Sequence, residues 1–470
     1  MLTEKLEDQF NNKYILWIEQ YSLFFILLIT LFAGAIRFYK LGEWSFWEDE
    51  MFTVSNKEDG FNYSILRQST LLTLIRYFVA QYGVTEWNAR ALPAIVGTIS
   101  IPAITFSLRT VVEPVTRVLF ALFLALAPWH LYWSQNARFY VALLLFYTLA
   151  LITFYIGLEK DRPSLLFVSL IFLALATKER LLALFLAPTV GAYILLIPIL
   201  KFERPAGYNW RNFNIFVLPG IIGGLAFLAP YLRNLSGWME GFGYANNNGV
   251  WLFAGYIFFV GLPTLVLGTF SGVYLLIQKD RLGLLLFISA LIPIVTLMSI
   301  SSFHYTANRY AFVSISSWIL LVSLGVAQLL NFKKLSSIIL VSGLVCFLAI
   351  QPMSDNFLYF RYQNGNRDNW KQAFLYVKTN IEDGDIVVTD QPVLANFYLD
   401  SQSLNITRFD LENAKSTNQR IWFVENIVTR EIYPQHHQWF WENGRLVSEF
   451  DVHLPARTYI MRVYLYTPIN

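Results

Sequence analysis

The chain has 470 residues, of which 56% are hydrophobic, 17% aromatic and only 14% charged, and its mean hydropathy is +0.46. This composition excludes an ordinary soluble globular protein and indicates a membrane protein that crosses the bilayer several times. The formal net charge of +3 is too small and too dispersed for a nucleic-acid-binding surface, and the single cysteine, Cys346, excludes an intramolecular disulfide.

Apolar segments of roughly 17–25 residues can cross a bilayer as helices, and about eleven such spans are predicted. No small-residue cleavage site follows the Ser22–Phe32 run, so the first span is expected to be a retained helix and not a signal peptide. The predicted spans lie near Ser22–Tyr39, Ala91–Leu108, Val118–Trp133, Val141–Leu158, Ser164–Thr177, Leu181–Leu200, Ile215–Tyr231, Trp251–Ile277, Leu282–Ile300, Tyr310–Leu330 and Leu335–Pro352.

Basic residues in the short loops predict the orientation of these spans. If the helices simply alternate, five basic loops fall on one side, which the positive-inside rule assigns to the cytoplasm. This requires the short Ser164–Thr177 segment to cross, and it makes the N-terminus cytoplasmic and the loop 40–90 extracytoplasmic, in a plasma or inner membrane. The basic loops contain Arg109 and Arg117; Lys160 and Arg162; Lys201, Arg204 and Arg211; Lys279 and Arg281; and Lys333 and Lys334.

The composition changes after Pro352, where hydrophobic runs shorten and Asp, Asn and Arg become frequent. Residues 1–352 are therefore predicted to form the membrane domain, and residues 353–470 a soluble extracytoplasmic domain of ordinary size. Helical periodicity over Trp370–Ile381 precedes a strand-like Ile386–Thr389. A helix at Val393–Leu399 and strands at Ile421–Val424 and Tyr459–Tyr466 complete a predicted α/β pattern.

Three consecutive carboxylates, Glu48, Asp49 and Glu50, lie among Trp and Phe just after the first span. Packed like charges and aromatic burial each raise carboxyl pKa values, so such a group can serve as a proton acceptor or hold a cation. The alternative is an aromatic belt with solvated charges at the lipid headgroups.

Further ionisable residues fall at the same predicted end of the helices. Arg and Lys near a membrane surface suit a phosphate or pyrophosphate group, whereas the alternative for any single Arg is that its side chain snorkels to the interface. These residues are Glu86, Arg90, His130, Arg138, Lys178, Glu179, Arg180, Arg233, His304, Tyr305 and Arg309.

Four segments of the membrane part form an ordered set, namely Phe46–Glu50, Glu86–Pro93, Pro128–Tyr140 and Asn308–Tyr310. Taken in order, they resemble the GT-C glycosyltransferases of the protein O-mannosyltransferase and aminoarabinose-transferase type. The outer domain also resembles one attached to many bacterial members, in which a segment like Arg367–Ala373 precedes a turn like Asp383–Asp385.

This resemblance implies transfer of a sugar from a polyprenyl-phosphate-linked donor to a hydroxyl of a lipid, glycan or protein acceptor on the outer face, with inversion at the anomeric carbon. It makes Asp49 the general base and Glu50 its acidic neighbour, which supports Asp49 or helps it to hold Mg²⁺ or Mn²⁺. Arg138 and Arg309 match positions near the donor phosphate, and Lys178 is a weaker match. The remaining pocket candidates are Glu86, Arg90, His130, His304 and Tyr305.

The chain departs from this family pattern at two places. Ser69–Leu74 stands where members commonly carry a His-Pro-Pro-Leu-Tyr-like segment, and Asn136 stands where relatives often have an acid. Two other functions stay open: a transporter or lipid flippase, because multispan proteins with internal charges often move solutes, and a noncatalytic subunit of an envelope-polysaccharide assembly.

Overall fold

The computed structural model describes residues 17–55, 69–232, 249–302, 306–330, 335–400, 405–407, 411–454 and 457–468. Most of these residues are helical, and the apolar side chains of the helices pack into one large core. The helices of the membrane part are α1 (Ser22–Phe38), α2 (Glu48–Val54), α3 (Thr70–Tyr82), α4 (Glu86–Ser107), α5 (Pro114–Leu126), α6 (Pro128–Ser134), α7 (Tyr140–Glu159), α8 (Pro163–Glu179), α9 (Leu186–Ile199), α10 (Trp210–Leu232), α11 (Gly249–Val260), α12 (Leu262–Ile277), α13 (Arg281–Ile300), α14 (Ile315–Leu330) and α15 (Leu335–Arg361).

Six helical segments within the described residues are long and apolar enough to cross a membrane, or eight if each of two bent pairs counts as one span. The chain is thus a multi-pass membrane protein, but the predicted number of eleven spans is not confirmed. Two spans predicted to be continuous are broken: α5 and α6 meet at 60°, and α11 and α12 meet at 93°. Proline at the start of the second helix in each pair lacks the N–H that would continue the first helix.

The short segment predicted at Ser164–Thr177 returns the chain to the end of the bundle where α2 lies. Helix α8 packs antiparallel to α7, and the Ser169 hydroxyl donates to the Ala150 carbonyl at 2.7 Å. A Cβ on Gly157 would approach Leu166 to 2.9 Å, so glycine allows the two helices to come close near their connecting turn. The last residue of α8, Glu179, then contacts Ser69 at the start of α3.

Four of the five predicted basic loops meet at one end of the bundle, which we call the basic end. Lys333 and Lys334 lie outside the described residues. Lys160 Nζ donates to the Thr110 carbonyl at 3.2 Å, Lys279 Nζ donates to the Leu200 carbonyl at 2.7 Å, and Arg281 pairs with Glu159 at 2.7 Å. This grouping agrees with simple alternation of the helices. Its assignment to the cytoplasm stays a prediction from the positive-inside rule.

The C-terminal part contains a five-stranded mixed sheet with strand order β2-β1-β3-β5-β4. Strand β1 runs parallel to β2 and β3, and β5 runs antiparallel to β3 and β4. The three predicted strands are confirmed as β1, β3 and β5, and the two predicted helices as α16 and α17. The elements are α16 (Trp370–Asn380), β1 (Ile386–Thr389), α17 (Pro392–Leu399), β2 (Asn405–Thr407), α18 (Leu411–Ser416), β3 (Ile421–Glu425), α19 (Ile427–Ile432), α20 (Pro434–Asn443), β4 (Arg445–Leu454) and β5 (Arg457–Tyr466).

Helix α15 continues through Pro352 to Arg361, so the proposed domain boundary at residue 352 falls inside a helix. The sheet-containing part then packs directly against the segment that leads into α2. The Phe46 N–H donates to the Tyr398 hydroxyl at 2.7 Å, and that hydroxyl donates to Glu86 at 3.0 Å. Lys371 Nζ also lies 3.0 Å from Glu86. The outer part of the chain therefore helps to hold the carboxylate segment in place.

Candidate active site at the mouth of the bundle

Helix α2 places the three sequential carboxylates in its first turn, where the positive end of the helix dipole favours negative charge. Successive side chains on a helix point about 100° apart, so neighbours in sequence face different surroundings. The Glu50 side chain is fully buried, whereas that of Asp49 is 31% exposed. Asp49 and Glu50, which the sequence suggested as a pair, therefore face different surroundings: Glu50 faces the protein interior and Asp49 is partly open to solvent.

Glu50 is the centre of a buried ion-pair cluster. Its two oxygens accept from Arg90 Nε at 2.9 Å and Nη2 at 2.7 Å, and the Ala137 N–H donates to Oε1 at 2.8 Å. Burial by itself would raise the pKa of Glu50, but Arg90, Arg367 and the Ala137 N–H together hold that pKa below its ordinary value. These contacts occupy both oxygens of Glu50 and shield them from solvent, an arrangement that does not favour its predicted part in catalysis or metal binding.

Two buried arginines from distant parts of the chain complete this cluster. Besides binding Glu50, Arg90 donates to the carbonyls of Leu41, Trp44 and Ser45, so this predicted pocket candidate fixes the segment before α2. Arg367 comes from the segment between α15 and α16, and its Nε lies 3.4 Å from Glu50 Oε2. One of the two cations around Glu50 thus comes from the C-terminal part of the chain.

Asp49 points instead toward the open end of the bundle, beside Arg138. Arg138 Nη1 donates to the Asp49 carbonyl at 2.9 Å and to Thr53 Oγ1 at 3.2 Å, and its Nη2 lies 3.8 Å from Asp49 Oδ2. Arg138 therefore holds α2 through two of its residues and borders the Asp49 carboxylate.

Three guanidinium groups converge on the aromatic residues near Asp49. Those of Arg138 and Arg180 lie 5.2 and 5.3 Å from the centre of the Phe139 ring, and that of Arg309 lies 5.9 Å from the Trp47 ring. All three act electrostatically on the Tyr140 hydroxyl. We call Asp49 and these three arginines the mouth cluster.

Arg180, two residues after the predicted Lys178, is the residue of this segment that lies beside Arg138 on the Phe139 ring. Arg180 follows α8 with an extended backbone and lies over Phe139, whereas Lys178 belongs to the last turn of the helix. Both residues are exposed. The cue in the sequence was the three-residue run Lys178-Glu179-Arg180, in which alternate residues can reach the same side once the helix has ended.

Glu179 joins the first outer loop to the turn that carries Arg180. Its buried carboxylate accepts from the Ser69 hydroxyl and from the Leu71 N–H at 3.3 Å, so it caps the N-terminus of α3. Ser69 also accepts from the Leu72 N–H at 3.1 Å. The segment that departs from the family pattern, Ser69–Leu74, thus forms the start of α3 and its attachment to α8.

Glu86 and His130, both predicted as pocket candidates, do not reach the mouth cluster. Glu86 binds Tyr398 and Lys371 between the two parts of the chain. His130 is fully buried, with Nδ1 2.7 Å from Arg37 Nη2 and Nε2 3.1 Å from Ser100 Oγ. Since an arginine can only donate, His130 carries its proton on Nε2. The remaining candidates, His304 and Tyr305, lie outside the described residues.

A divalent metal held by Asp49 and Glu50 does not fit this arrangement. Glu50 faces away from Asp49 and binds two arginines, and Asn136, which stands where relatives often have an acid, accepts from Trp47 Nε1 at 2.8 Å. Within the described ranges, no group of three or more His, Cys, Asp or Glu side chains is arranged to hold a metal ion.

Comparison with known proteins agrees with this architecture. The family described as dolichyl-phosphate-mannose-protein mannosyltransferase matches residues 71–232. The structure of ArnT from Cupriavidus metallidurans, both in the apo state and bound to undecaprenyl phosphate, superposes with a TM-score of 0.57 at 12% identity, over 93% of this chain and 97% of that one. No curated protein sequence matches the chain.

A second solved structure extends the comparison to a larger protein. The oligosaccharyltransferase AglB from Archaeoglobus fulgidus, in complex with an inhibitory peptide and a dolichol-phosphate, superposes with a TM-score of 0.54 at 12% identity, over 93% of this chain and 74% of that one. ArnT and AglB are both GT-C proteins, and the likeness covers the helical bundle together with most of the outer part. The chain has the fold of the GT-C superfamily of membrane glycosyltransferases, as the resemblance in its sequence predicted.

Proposed function

We propose that the chain is a glycosyltransferase that moves a sugar from a polyprenyl-phosphate-linked donor to an acceptor hydroxyl at the extracytoplasmic mouth, with Asp49 as general base. The observation that carries this proposal is the mouth cluster, in which one partly exposed carboxylate lies beside three converging guanidinium groups. One side of such a site can accept a proton while the other stabilises a phosphate.

Asp49 is the carboxylate of α2 best suited to be the base. A neutral hydroxyl needs a proton acceptor within hydrogen-bond reach of the substrate, which a buried group cannot provide. Glu50 is enclosed by Arg90 and Arg367, while Asp49 keeps an exposed face and has its helix held by Arg138. This division makes Glu50 a supporting residue that fixes the helix carrying the base.

The donor phosphate is assigned to Arg180 and Arg309. Guanidinium groups bind phosphate oxygens through paired hydrogen bonds and stabilise the charge that develops as the phosphate departs. Nη1 of Arg138 is already bound to the Asp49 carbonyl and Thr53, so we place Arg138 at the border between base and phosphate. The undecaprenyl phosphate bound to ArnT and the dolichol-phosphate bound to AglB support a lipid-linked donor.

The proposed reaction is a single displacement at the anomeric carbon, in which one bond forms as another breaks. The acceptor oxygen forms a bond to the anomeric carbon while the bond from that carbon to the phosphate oxygen breaks. The acceptor proton moves to the Asp49 carboxylate, and the bonding electrons stay on the phosphate beside the arginines. Attack from the face opposite the leaving phosphate inverts the anomeric carbon.

The test measures transfer of radiolabelled sugar in membranes that contain equal amounts of wild type, Asp49→Asn or Glu43→Gln, with extracted polyprenyl-phosphate sugars as donors. Glu43 is the matched control because it is an exposed carboxylate of the same outer loop that pairs with Lys40. We expect Asp49→Asn to lose about two or more orders of magnitude in rate, because the base is removed at constant size. Glu43→Gln should stay within about twofold.

Two other outcomes would contradict the proposal. An Asp49→Asn variant as active as the wild type would refute Asp49 as the base while leaving transfer intact. A folded wild type that transfers sugar from none of the donors would refute the glycosyltransferase function itself.

A further inference from the structure

A cavity of about 400 Å³ lies at the basic end of the bundle, remote from the mouth cluster. Apolar side chains from four helices line it, among them Phe154 of α7, Leu166 of α8 and Ile194 of α9. Tyr140, beside the mouth cluster, begins α7, and Leu158 at the cavity lies near its other end. An α-helix of that length spans about 30 Å, so the cavity and the mouth are separated by most of the bilayer.

The cavity opens toward the bilayer hydrocarbon. Phe213 of α10 lines it and is nevertheless 39% exposed on the outer surface of the bundle. Leu195 and Leu218, on the neighbouring helices, are exposed on that surface as well. In a membrane protein, such apolar surface faces lipid, so a lipid molecule can enter the cavity from the side.

The turn that contains Gly207 and leads into Asn212 of α10 forms the polar rim of the cavity. Asn212 is 1% exposed, and its amide nitrogen donates to Asp161 at 2.6 Å and to the Gly207 carbonyl at 3.0 Å. The Gly207 N–H donates to the Leu158 carbonyl at 2.8 Å, and a Cβ at position 207 would collide with that carbonyl. Asn212 Oδ1, although buried, has no hydrogen-bond partner among the described residues. A buried acceptor of this kind requires a donor from a ligand or a water molecule.

The rim also carries a cation without a carboxylate partner among the described residues. Arg204 is exposed and lies over the Tyr208 ring at 5.5 Å, whereas its neighbour Arg211 is paired with Asp161. Trp210, also on the rim, is 77% exposed, as is usual for tryptophan at the boundary between headgroups and hydrocarbon. Arg204 is therefore placed at the depth where lipid phosphates lie.

We propose that this cavity binds one anionic glycerophospholipid with a hydroxyl-bearing headgroup, of the phosphatidylglycerol type. An acyl chain fills the apolar part, the phosphate pairs with Arg204, and a headgroup hydroxyl donates to Asn212 Oδ1. The volume is within the range of ligand pockets, and the three features together match a lipid better than a water-soluble anion, which has no apolar part to occupy the cavity.

The test is native mass spectrometry of the full chain released from nanodiscs that contain equal amounts of phosphatidylglycerol, phosphatidylcholine and phosphatidic acid. We expect the wild type to retain one phosphatidylglycerol, with phosphatidic acid retained several-fold less because it lacks the headgroup hydroxyl. Arg204→Gln should lower retention about tenfold, as expected for the loss of a charge-assisted contact. Lys201→Gln is the matched control, since it removes a charge from the same loop but does not line the cavity.

A second variant fills the cavity and keeps the test decisive if Arg204→Gln does not fold. Val217→Trp places a large ring among the lining residues and should abolish retention of lipid, while sugar transfer at the remote mouth stays within about twofold. Equal retention of phosphatidylcholine by the wild type, or full retention of phosphatidylglycerol by Val217→Trp, would each overturn the proposal.

Discussion

Replacing Glu50 by glutamine tests whether the two neighbouring carboxylates of α2 have separate roles. Glutamine keeps the volume of the side chain, so little cavity is created, but it removes the carboxylate charge that pairs with Arg90 and Arg367 in the buried cluster. Breaking a buried ion pair by removing one partner typically costs about 3–5 kcal/mol, because the other charge is left buried without compensation. We expect a loss of this size in the free energy of unfolding.

The assay is thermal unfolding of purified protein in nanodiscs of fixed lipid composition, followed by tryptophan fluorescence. One kcal/mol lowers Tm by about 2–4 °C in domains of 150–250 residues, so the low end of that range predicts a fall of roughly 6–10 °C for Glu50→Gln. Asp49→Asn, on the partly exposed side of the same helix, should change Tm by no more than about 2 °C while it abolishes transfer.

The reasoning would be refuted by a Glu50→Gln variant that melts like the wild type but transfers no sugar, because Glu50 would then act in the chemistry itself. A second comparison uses Arg367→Gln. Loss of Glu50 alone leaves both Arg90 and Arg367 buried without a carboxylate, whereas the double variant leaves only Arg90 in that state. The double variant should therefore lose less stability than the sum of the two single variants. Additive losses would contradict the shared cluster.

Three further predictions concern other parts of the chain. Arg180→Gln should lower kcat/KM for the lipid-linked donor about tenfold or more, whereas Lys178→Gln should change it less than threefold, as measured in the transfer assay. Tyr398→Phe leaves the Phe46 N–H without its acceptor and should lower the unfolding free energy by about 1–3 kcal/mol, read as a lower Tm. Burial raises the pKa of Glu425, beside His437, from 4.5 to about 7. The stability contributed by the protonated carboxyl is therefore complete below about pH 4.5 and lost as the pH rises through 7, so Glu425→Gln should flatten the dependence of Tm on pH between 5 and 8.

The fold could be predicted from the sequence as far as it depends on apolar length and loop charge. These features indicated a multi-pass bundle, the side shared by the basic loops and the soluble C-terminal part. They could not show that Val118–Trp133 and Trp251–Ile277 are bent, because average hydropathy over a window does not change when a helix turns. The signals were Pro128 and the Gly261-Leu262-Pro263 run, where Gly261 has a φ of +89° that other residues rarely adopt.

The sequence could indicate which residues lie at one end of the helices. It could not indicate how deeply each of them is buried. Asp49 and Glu50 are equivalent in the sequence, and only the partners supplied by distant segments decide which of them is buried. Likewise, His130 was predicted at the same end of the helices as the mouth cluster, yet its side chain is fully buried. It binds Arg37, a residue that the sequence interpretation did not single out. Burial of this kind depends on three-dimensional packing, which no local pattern encodes.

Helix α2 is held by three parts of the chain that are far apart in sequence. Arg90 of α4 binds Glu50, Arg138 binds the Asp49 carbonyl, and Arg367 reaches Glu50 from beyond the last membrane helix. Hydrogen bonds placed on both faces of a seven-residue helix fix its rotation as well as its position, and rotation is what decides whether Asp49 or Glu50 faces the mouth. The segment that supplies Arg367 also packs Tyr398 against Phe46. The outer part of the chain is therefore an element of the candidate site, because without it one face of α2 would lose the contacts that keep the proposed base turned outward.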